Sequence, residues 1–164
     1  MTTTNQQTTK VSRPNIGKNV DLVSPGPNFG SEPYLITIGD NTTVSFDVAF
    51  VTHDAGTRVL RNLATNEKEK QTVIYGEIKI GKNCFIGCRS TILPGVTIGD
   101  NCIIGAGSVV NRDIPANHVA AGVPCKVICT LEEYKEKHKD DFLYMVKLPY
   151  EEKKKYLLDL YGKQ

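Results

Sequence analysis

Residues 80–110 read IGKNCFIGCRSTILPGVTIGDNCIIGAGSVV, and an aliphatic residue recurs in this stretch at every sixth position. The series comprises Ile74, Ile80, Ile86, Ile92, Ile98, Ile104 and Val110, and glycine follows at 81, 87, 99 and 105. A second series, four positions after the first, comprises Ile78, Cys84, Ser90, Val96, Cys102, Ser108 and Ile114. A period of six fits neither an amphipathic helix nor a plain alternating strand, so it predicts short strands separated by tight turns.

Turn-forming triplets separate the predicted strands: Gly-Lys-Asn at 81–83, Leu-Pro-Gly at 93–95 and Gly-Asp-Asn at 99–101. These residue types adopt or preset the backbone angles of turns. If three units close one coil, residues 18 apart stack at a spacing of about 4.8 Å, which places Ile80 on Ile98. Ile86 then stacks on Ile104, and each buried isoleucine contributes roughly 1.5 to 3 kcal/mol. The repeat predicts an all-β solenoid, a parallel β-helix with an internal aliphatic ladder.

The repeat extends upstream and is then interrupted. Ile38-Gly39, Val44 and Phe50 continue the first series, and Thr42 and Val48 continue the second. Residues 11–37 are less regular and are interpreted as one imperfect capping coil, so that the β-helix domain covers residues 11–129. Residues 1–10 are expected to be a disordered tail. Residues 54–73 break the period and carry several charges, which predicts a projecting, functional loop.

The C-terminal segment, residues 130–164, has a helical pattern. Thr130-Leu131-Glu132-Glu133 is a capping-box motif, and the pattern continues through Tyr134, His138 and Phe142 toward a second helix after Pro149. We expect this segment to cap the open end of the solenoid, where strand edges would otherwise be unpaired.

Composition narrows the function classes. The chain has 164 residues and a formal charge of +2, with basic and acidic residues interleaved, so no basic face for nucleic acid is expected. Neither an apolar run long enough to enter a membrane nor a signal peptide is recognisable, and we expect a cytoplasmic protein. The five cysteines lack CxxC or zinc spacing, which favours reduced thiols, and Cys84 and Cys102 are expected to be small buried residues.

Residues 80–128, which end in AAGVPCKVI at 120–128, resemble the hexapeptide-repeat acyltransferases, in particular the maltose and galactoside O-acetyltransferase group. The resemblance reaches back more loosely to Thr37. It implies a left-handed β-helix, a homotrimer, and a groove between neighbouring chains for the co-substrate acetyl-coenzyme A, with no metal required.

The resemblance also implies a general base, a histidine placed ahead of the inserted loop. Here that position is His53, in Phe50-Val51-Thr52-His53-Asp54, with Asp54 where the family usually has proline. Imidazole can take the acceptor's proton and later protonate the thiolate. Candidates for orienting the ring are Asp47, Asp54, Glu77 or a backbone carbonyl. His118 and His138 are expected to be structural or exposed.

Contacts to coenzyme A carry over by resemblance onto six positions. They are Phe85, Cys88, Ala106, Asn111, Arg112 and Lys126. Cys129 stands where the family often has a further arginine, which weakens the expected phosphate contact there. A two-step exchange through the Cys88 thiol is the less favoured alternative to direct transfer.

The acceptor is the least determined part. Asn28, Phe29, Arg58 and Arg61 are candidate acceptor-binding residues, and the expected reaction is acetyl transfer to a hydroxyl of a sugar or polysaccharide precursor. Streptogramin-type antibiotics and amino sugars are alternative acceptors. A metalloenzyme resembling the γ-type carbonic anhydrases is disfavoured because the three histidines are poorly spaced for one metal. A non-catalytic β-helix scaffold is the remaining alternative.

Overall fold

Short strands dominate the computed structural model, which describes residues 12–163. The predicted tail, residues 1–10, lies outside these residues. The strands are β1 (Asn15–Ile16), β2 (Asp21–Leu22), β3 (Ile36–Ile38), β4 (Thr43–Val44), β5 (Ala49–Phe50), β6 (His53–Asp54), β7 (Ile74–Tyr75), β8 (Ile78–Ile80), β9 (Phe85–Ile86), β10 (Thr91–Ile92), β11 (Thr97–Ile98), β12 (Ile103–Ile104), β13 (Val109–Val110), β14 (His118–Ala121) and β15 (Lys126–Thr130).

Thirteen of these strands form three sheets, which the chain visits in turn. Sheet 1 has the order β1-β3-β8-β11, sheet 2 the order β15-β14-β12-β9-β4-β2, and sheet 3 the order β13-β10-β5. Successive strands β8, β9 and β10 therefore belong to sheets 1, 2 and 3, and β11 returns to sheet 1. We call one such circuit a coil. All pairings within the three sheets are parallel except that between β14 and β15.

The predicted stacking of residues 18 apart is confirmed. Ile80 pairs with Ile98, and Ile86 pairs with Ile104. Backbone hydrogen bonds of 2.8 Å join Gly81 N to Ile98 O and Gly87 N to Ile104 O, in the same direction along the stack. The backbone N–H and C=O groups of each coil therefore form their hydrogen bonds with the adjacent coils rather than with a hairpin partner.

Both predicted series point into the core, with one exception. Members that are at most 4% exposed are Ile38, Thr42, Val44, Val48, Phe50, Ile78, Ile80, Cys84, Ile86, Ser90, Ile92, Val96, Ile98, Cys102, Ile104, Ser108, Val110 and Ile114. The prediction for Ile74 is wrong: this residue is 55% exposed and belongs to β7, outside the three sheets. All five cysteines are free, and Cys84 and Cys102 are buried as expected.

The turns use the residues that the sequence predicts. Asn83, Asn101 and Gly95 have φ values of 53°, 56° and 82°, in the left-handed region that asparagine and glycine tolerate. The glycine that follows an aliphatic residue is needed for a different reason, the close approach of adjacent coils. A Cβ atom on Gly87 would lie 2.5 Å from the Ala106 nitrogen, because adjacent coils approach each other too closely there for a side chain.

The N-terminal coil is longer than the others. β1 pairs with β3 and β2 pairs with β4, while Asn28 forms an isolated bridge with Ala49. Contacts between this coil and the next join residues about 22 apart, as between Lys18 N and Asp40 Oδ1, rather than 18. Residues 12–32 therefore form an irregular N-terminal coil, and a 3₁₀ turn at Pro33–Leu35 follows it. The capping coil was predicted over residues 11–37, but Ile36 and Thr37 belong to β3 of the next coil.

An insertion separates the coil that contains β5 from the coil that starts at β8. β3 pairs with β8, so that residues 42 apart are paired without any change in the strand order. β6 and β7 form an antiparallel pair that closes the neck of the insertion, with His53 opposite Tyr75. The predicted loop also contains a helix, α1 (Thr57–Leu63), and a 3₁₀ turn at Glu69–Gln71.

The C-terminal helices start where predicted. Thr130 Oγ1 accepts a hydrogen bond from Glu133 N at 3.1 Å, and the Glu133 carboxylate accepts one from Thr130 N at 2.7 Å, which completes the capping box before α2 (Leu131–Lys137). A boundary between two compact units follows Tyr134. The prediction that the helical pattern continues through His138 is wrong, because α2 ends at Lys137.

The second unit, residues 135–163, contains a 3₁₀ turn at Lys139–Asp141 and the helix α3 (Tyr150–Leu160). Pro149 is the N-cap of α3, in agreement with the predicted start of a second helix. The capping role expected for this segment stays a prediction. None of the helices in residues 12–163 has the length and apolarity needed to cross a bilayer.

Candidate active site

His53 lies at the junction between the coil and the insertion. It follows β5 by three residues and opens β6, whose partner strand holds Tyr75. The two rings meet edge to face with centroids 5.9 Å apart. The backbone next to His53 is held in place, because Gly76 N donates a hydrogen bond to Thr52 O at 2.9 Å and Thr52 is buried. The imidazole, 34% exposed, is held in position yet remains open to solvent.

A carboxylate orients the His53 ring. His53 Nδ1 lies 2.8 Å from Glu32 Oε2, and Thr52 Oγ1 donates to the same oxygen at 2.7 Å. The Glu32 side chain is 14% exposed. The hydrogen bond from Thr52, together with that from His53, lowers the pKa of the Glu32 carboxyl against the opposing effect of burial.

This ionised carboxylate decides the tautomer of the imidazole. A carboxylate only accepts hydrogen bonds, so Nδ1 carries the hydrogen and donates it to Glu32. In the neutral ring the lone pair then lies on Nε2. Among residues 12–163, no hydrogen bond partner occupies Nε2. In its neutral form, the ring thus has the nitrogen without a hydrogen at Nε2, the arrangement that a general base requires.

Glu32 is not among the carboxylates expected to orient the ring, and the candidates Asp47, Asp54 and Glu77 are wrong. Asp47 lies 3.7 Å from Arg89, Asp54 accepts a hydrogen bond from Gly56 N, and Glu77 pairs with Lys79. The sequence feature that could have identified Glu32 is the greater length of the N-terminal coil. That coil places Glu32 beside a residue 21 positions later, because Asn28 N bonds to Val48 O and Phe50 N bonds to Asn28 O.

The candidate acceptor-binding residues lie in two places. Asn28 and Phe29 belong to the N-terminal coil, where the Phe29 ring stacks on Phe50 at 5.4 Å and packs against the core. Asn28 Oδ1 accepts a hydrogen bond from Gly30 N at 2.9 Å. Arg58 and Arg61 lie on α1 in the insertion and line a cavity of about 520 Å³. The structure thus assigns Phe29 a packing role and leaves the two arginines at an open surface.

Three of the residues expected to contact coenzyme A lie along one side of the coils. Phe85 is on β9 of sheet 2 and is 44% exposed. Cys88 and Ala106 occupy equivalent turns from sheet 2 to sheet 3 in adjacent coils, and Gly107 N donates to Cys88 O at 2.8 Å. Phe85 and Ala106 are exposed and Cys88 is half-buried, and we call these three residues the strip.

The other three lie apart from that strip. Asn111 and Arg112 follow β13 and are exposed, in the segment that leads from sheet 3 to sheet 1. This corner of the coils is also that of His53, but the two residues lie two coils further along. Lys126 is exposed at the start of β15, opposite Ala121. In the part of the chain that the structure describes, no hydrogen bond or ion pair connects His53 to any of the six.

The other two histidines have local partners. His118 Nδ1 lies 2.8 Å from the backbone oxygen of Ala116, and His138 Nδ1 lies 3.1 Å from Asp141 Oδ2. The described residues include no group of three or more histidine, cysteine, aspartate and glutamate side chains that is arranged to hold a metal ion.

Comparison with known proteins places this geometry in a family. The profile described as bacterial transferase hexapeptide (six repeats) matches residues 77–112. The protein CapG of Staphylococcus aureus is 47% identical over 131 residues, which cover 80% of this chain and 73% of CapG. The chain belongs to the hexapeptide-repeat acetyltransferases.

Two further members of the hexapeptide-repeat acetyltransferases illustrate the relationship. The galactoside O-acetyltransferase of Escherichia coli (strain K12) is 44% identical over 108 residues, and these span 65% of this chain but only 49% of that protein. A solved structure of a galactoside acetyltransferase in complex with coenzyme A is 30% identical, with a TM-score of 0.52 and coverage of 81% of this chain and 70% of that one. The resemblance inferred from residues 80–128 is thereby confirmed.

Proposed function

We propose that this acetyltransferase moves the acetyl group of acetyl-coenzyme A to a hydroxyl of a saccharide or polysaccharide precursor, with His53 as general base. The observation that carries the proposal is the hydrogen bond from His53 Nδ1 to Glu32, which leaves Nε2 unprotonated and open at the neck of the insertion. The galactoside acetyltransferase structure with bound coenzyme A supports the choice of donor.

In the proposed reaction, His53 Nε2 removes the proton from the acceptor hydroxyl as its oxygen attacks the thioester carbonyl. The tetrahedral intermediate collapses, the carbon–sulfur bond breaks, and the imidazolium returns the proton to the departing thiolate. An acetyl ester and free coenzyme A are the products. Glu32 keeps the ring oriented and stabilises its positive charge while the proton is held there.

We also propose that the coils wind with a left hand and that the active protein is a homotrimer. The solved relative supports the winding, since its chain covers most of this one. Support for the assembly comes from the separation of His53 from the strip of Phe85, Cys88 and Ala106. These lie on different corners of the coils, so a donor in contact with both groups fits a cleft between neighbouring chains better than one chain alone.

The proposal is tested by measuring thiol release from acetyl-coenzyme A in the presence of sugars, nucleotide sugars and streptogramin antibiotics. The His53→Ala variant should lose a factor of about 10² to 10⁴ in kcat, the usual contribution of a general base. His118→Ala is the matched control and should retain activity. Unchanged turnover in His53→Ala would refute the mechanism, and a failure to bind acetyl-coenzyme A in calorimetry would favour a scaffold instead.

A further inference from the structure

A cluster of cationic side chains in the insertion has no role in the proposed proton transfer. Arg58, Arg61, Asn62 and Lys70 together line the cavity of about 520 Å³. The first three lie on one face of α1, three and four positions apart, and Lys70 comes from the 3₁₀ turn at Glu69–Gln71. We call Arg58, Arg61 and Lys70 the cation cluster.

The charges of the cation cluster are only partly compensated. Lys70 Nζ lies 2.6 Å from Glu67 Oε1, but the two side chains are 48% and 83% exposed, and ion pairs open to solvent in this way are weak. Within the described range of the chain, neither Arg58 nor Arg61 is in an ion pair with a carboxylate. Two guanidinium groups that line one cavity repel each other, and an anion between them removes that repulsion. The planar guanidinium also suits the paired oxygens of phosphate and carboxylate groups.

A short, hydrogen-bonded segment connects His53 to the start of α1, the helix that carries Arg58 and Arg61. α1 begins three residues after the end of β6, the strand that His53 opens. Asp54 fixes this short connection, because its Oδ1 accepts a hydrogen bond from Gly56 N and its backbone oxygen accepts one from Thr57 Oγ1, each at 2.8 Å. Thr57 is the buried residue of the insertion. The start of α1 is thereby held next to the proposed base.

From this arrangement we infer that the cation cluster binds an anionic group, phosphoryl or carboxylate, of the acceptor. The inference rests on the proposed function and deepens it: the acceptor is a charged saccharide, such as a sugar phosphate, a nucleotide sugar or a uronic acid, rather than a neutral sugar. The phosphates of the donor are the competing ligand, but the side chains expected to contact the donor lie on the coils and on β15, not in the insertion.

The kinetic test compares galactose, galactose 1-phosphate, galacturonate and UDP-galactose as acceptors in the thiol-release assay. An anionic acceptor should exceed galactose in kcat/KM by about tenfold or more, the effect of one or two charge-assisted contacts. Comparing galactose 1-phosphate with galacturonate shows whether the site prefers a phosphoryl or a carboxylate group. Equal values for galactose and all its anionic relatives would overturn the inference.

Variants locate the effect. Arg58→Gln combined with Arg61→Gln should raise KM for the anionic acceptor about tenfold and leave KM for acetyl-coenzyme A unchanged. Glu67→Gln, which frees Lys70, should lower the acceptor KM. Lys68→Gln removes an exposed charge from the same insertion without altering the cavity lining, so it should change neither constant. A rise in KM for acetyl-coenzyme A alone in the double variant would assign the cation cluster to the donor.

Direct binding separates this inference from the proposed function. Calorimetry of UDP-galactose, galactose 1-phosphate and galacturonate, without a donor, should show binding to the wild-type protein that weakens about tenfold in the double variant and not in Lys68→Gln. Such binding without acetyl transfer would refute the proposed function and leave the cation cluster as an anion site. Equal binding by both proteins, or no binding by either, would overturn the inference. Unchanged circular dichroism establishes that the double variant is folded.

Discussion

The coils and the insertion differ in how they use apolar residues. In the coils, isoleucine and valine of successive turns are buried on one another, and Ile98 is 1% exposed. In the insertion, Thr57 alone is buried, while Leu60 and Leu63 of α1 are 58% and 74% exposed. The coils therefore supply the stability of the fold, and the insertion supplies exposed charges next to His53. If the insertion binds the acceptor as proposed, stability and acceptor recognition are divided between two parts of the chain.

The largest expected effect of this division is on stability. Ile98→Ala removes a buried side chain between stacked coils and should lower the free energy of unfolding by about 2 to 5 kcal/mol. Leu63→Ala, the matched change in the insertion, should stay within about 0.5 kcal/mol of the wild type. Urea denaturation at fixed protein concentration measures both. Comparable losses would mean that the insertion is packed against the rest of the protein in solution.

A smaller effect is expected at the junction of the two regions. Glu32→Gln keeps a hydrogen bond acceptor beside His53 but removes the negative charge that fixes the tautomer, so kcat should fall by roughly tenfold. Glu77→Gln is the matched control, because Glu77 pairs with Lys79 instead. Steady-state kinetics with saturating donor tests this. Equal rates for the two variants would remove Glu32 from the mechanism.

The pH dependence of stability adds a second readout for Glu32. Its folded pKa is lowered, so the carboxylate stabilises the folded state above the pKa of an unfolded glutamate. That contribution is lost as the pH falls from the unfolded pKa through the lowered folded value. Thermal unfolding followed across this acidic range should show the loss in the wild type. In Glu32→Gln this component of the pH dependence should be absent.

The smallest effect is expected in the strip on the coils. Cys88→Ala should leave kcat within about twofold of the wild type, since direct transfer needs no thiol nucleophile. Thiol release, corrected for the protein's own cysteines, measures the rate. Loss of most activity in a folded Cys88→Ala protein would instead indicate a covalent acetyl-cysteine and a two-step exchange.

The sequence predicted the coils well because each one obeys the same local rule. Within a coil, the aliphatic residue that precedes a tight turn is buried in the core, as Ile80 and Ile98 are. Ile74 shows the limit of this rule. It lies six residues before Ile80 but within the neck of the insertion, so its strand pairs with β6 rather than with a coil. Spacing alone does not reveal which strand will be the partner.

The site was predicted only in part for a related reason. His53 was identified by resemblance, whereas its partner Glu32 comes from a coil that does not follow the repeat. The N-terminal coil is longer by several residues, and this extra length determines which side chain reaches the imidazole. An irregular coil has no periodic signal, so the sequence pattern does not show that Glu32 lies beside His53.

The neck of the insertion also bears on how this chain could acquire new acceptors. Because β6 and β7 leave and rejoin the coils at one point, β3 stacks on β8 just as β8 stacks on β11. Any segment that starts and ends at that point leaves the stacking order intact, whatever its length. On the proposal that the insertion binds the acceptor, replacing the polypeptide between Asp54 and Ile74 would change acceptor specificity and leave the stacked coils as they are.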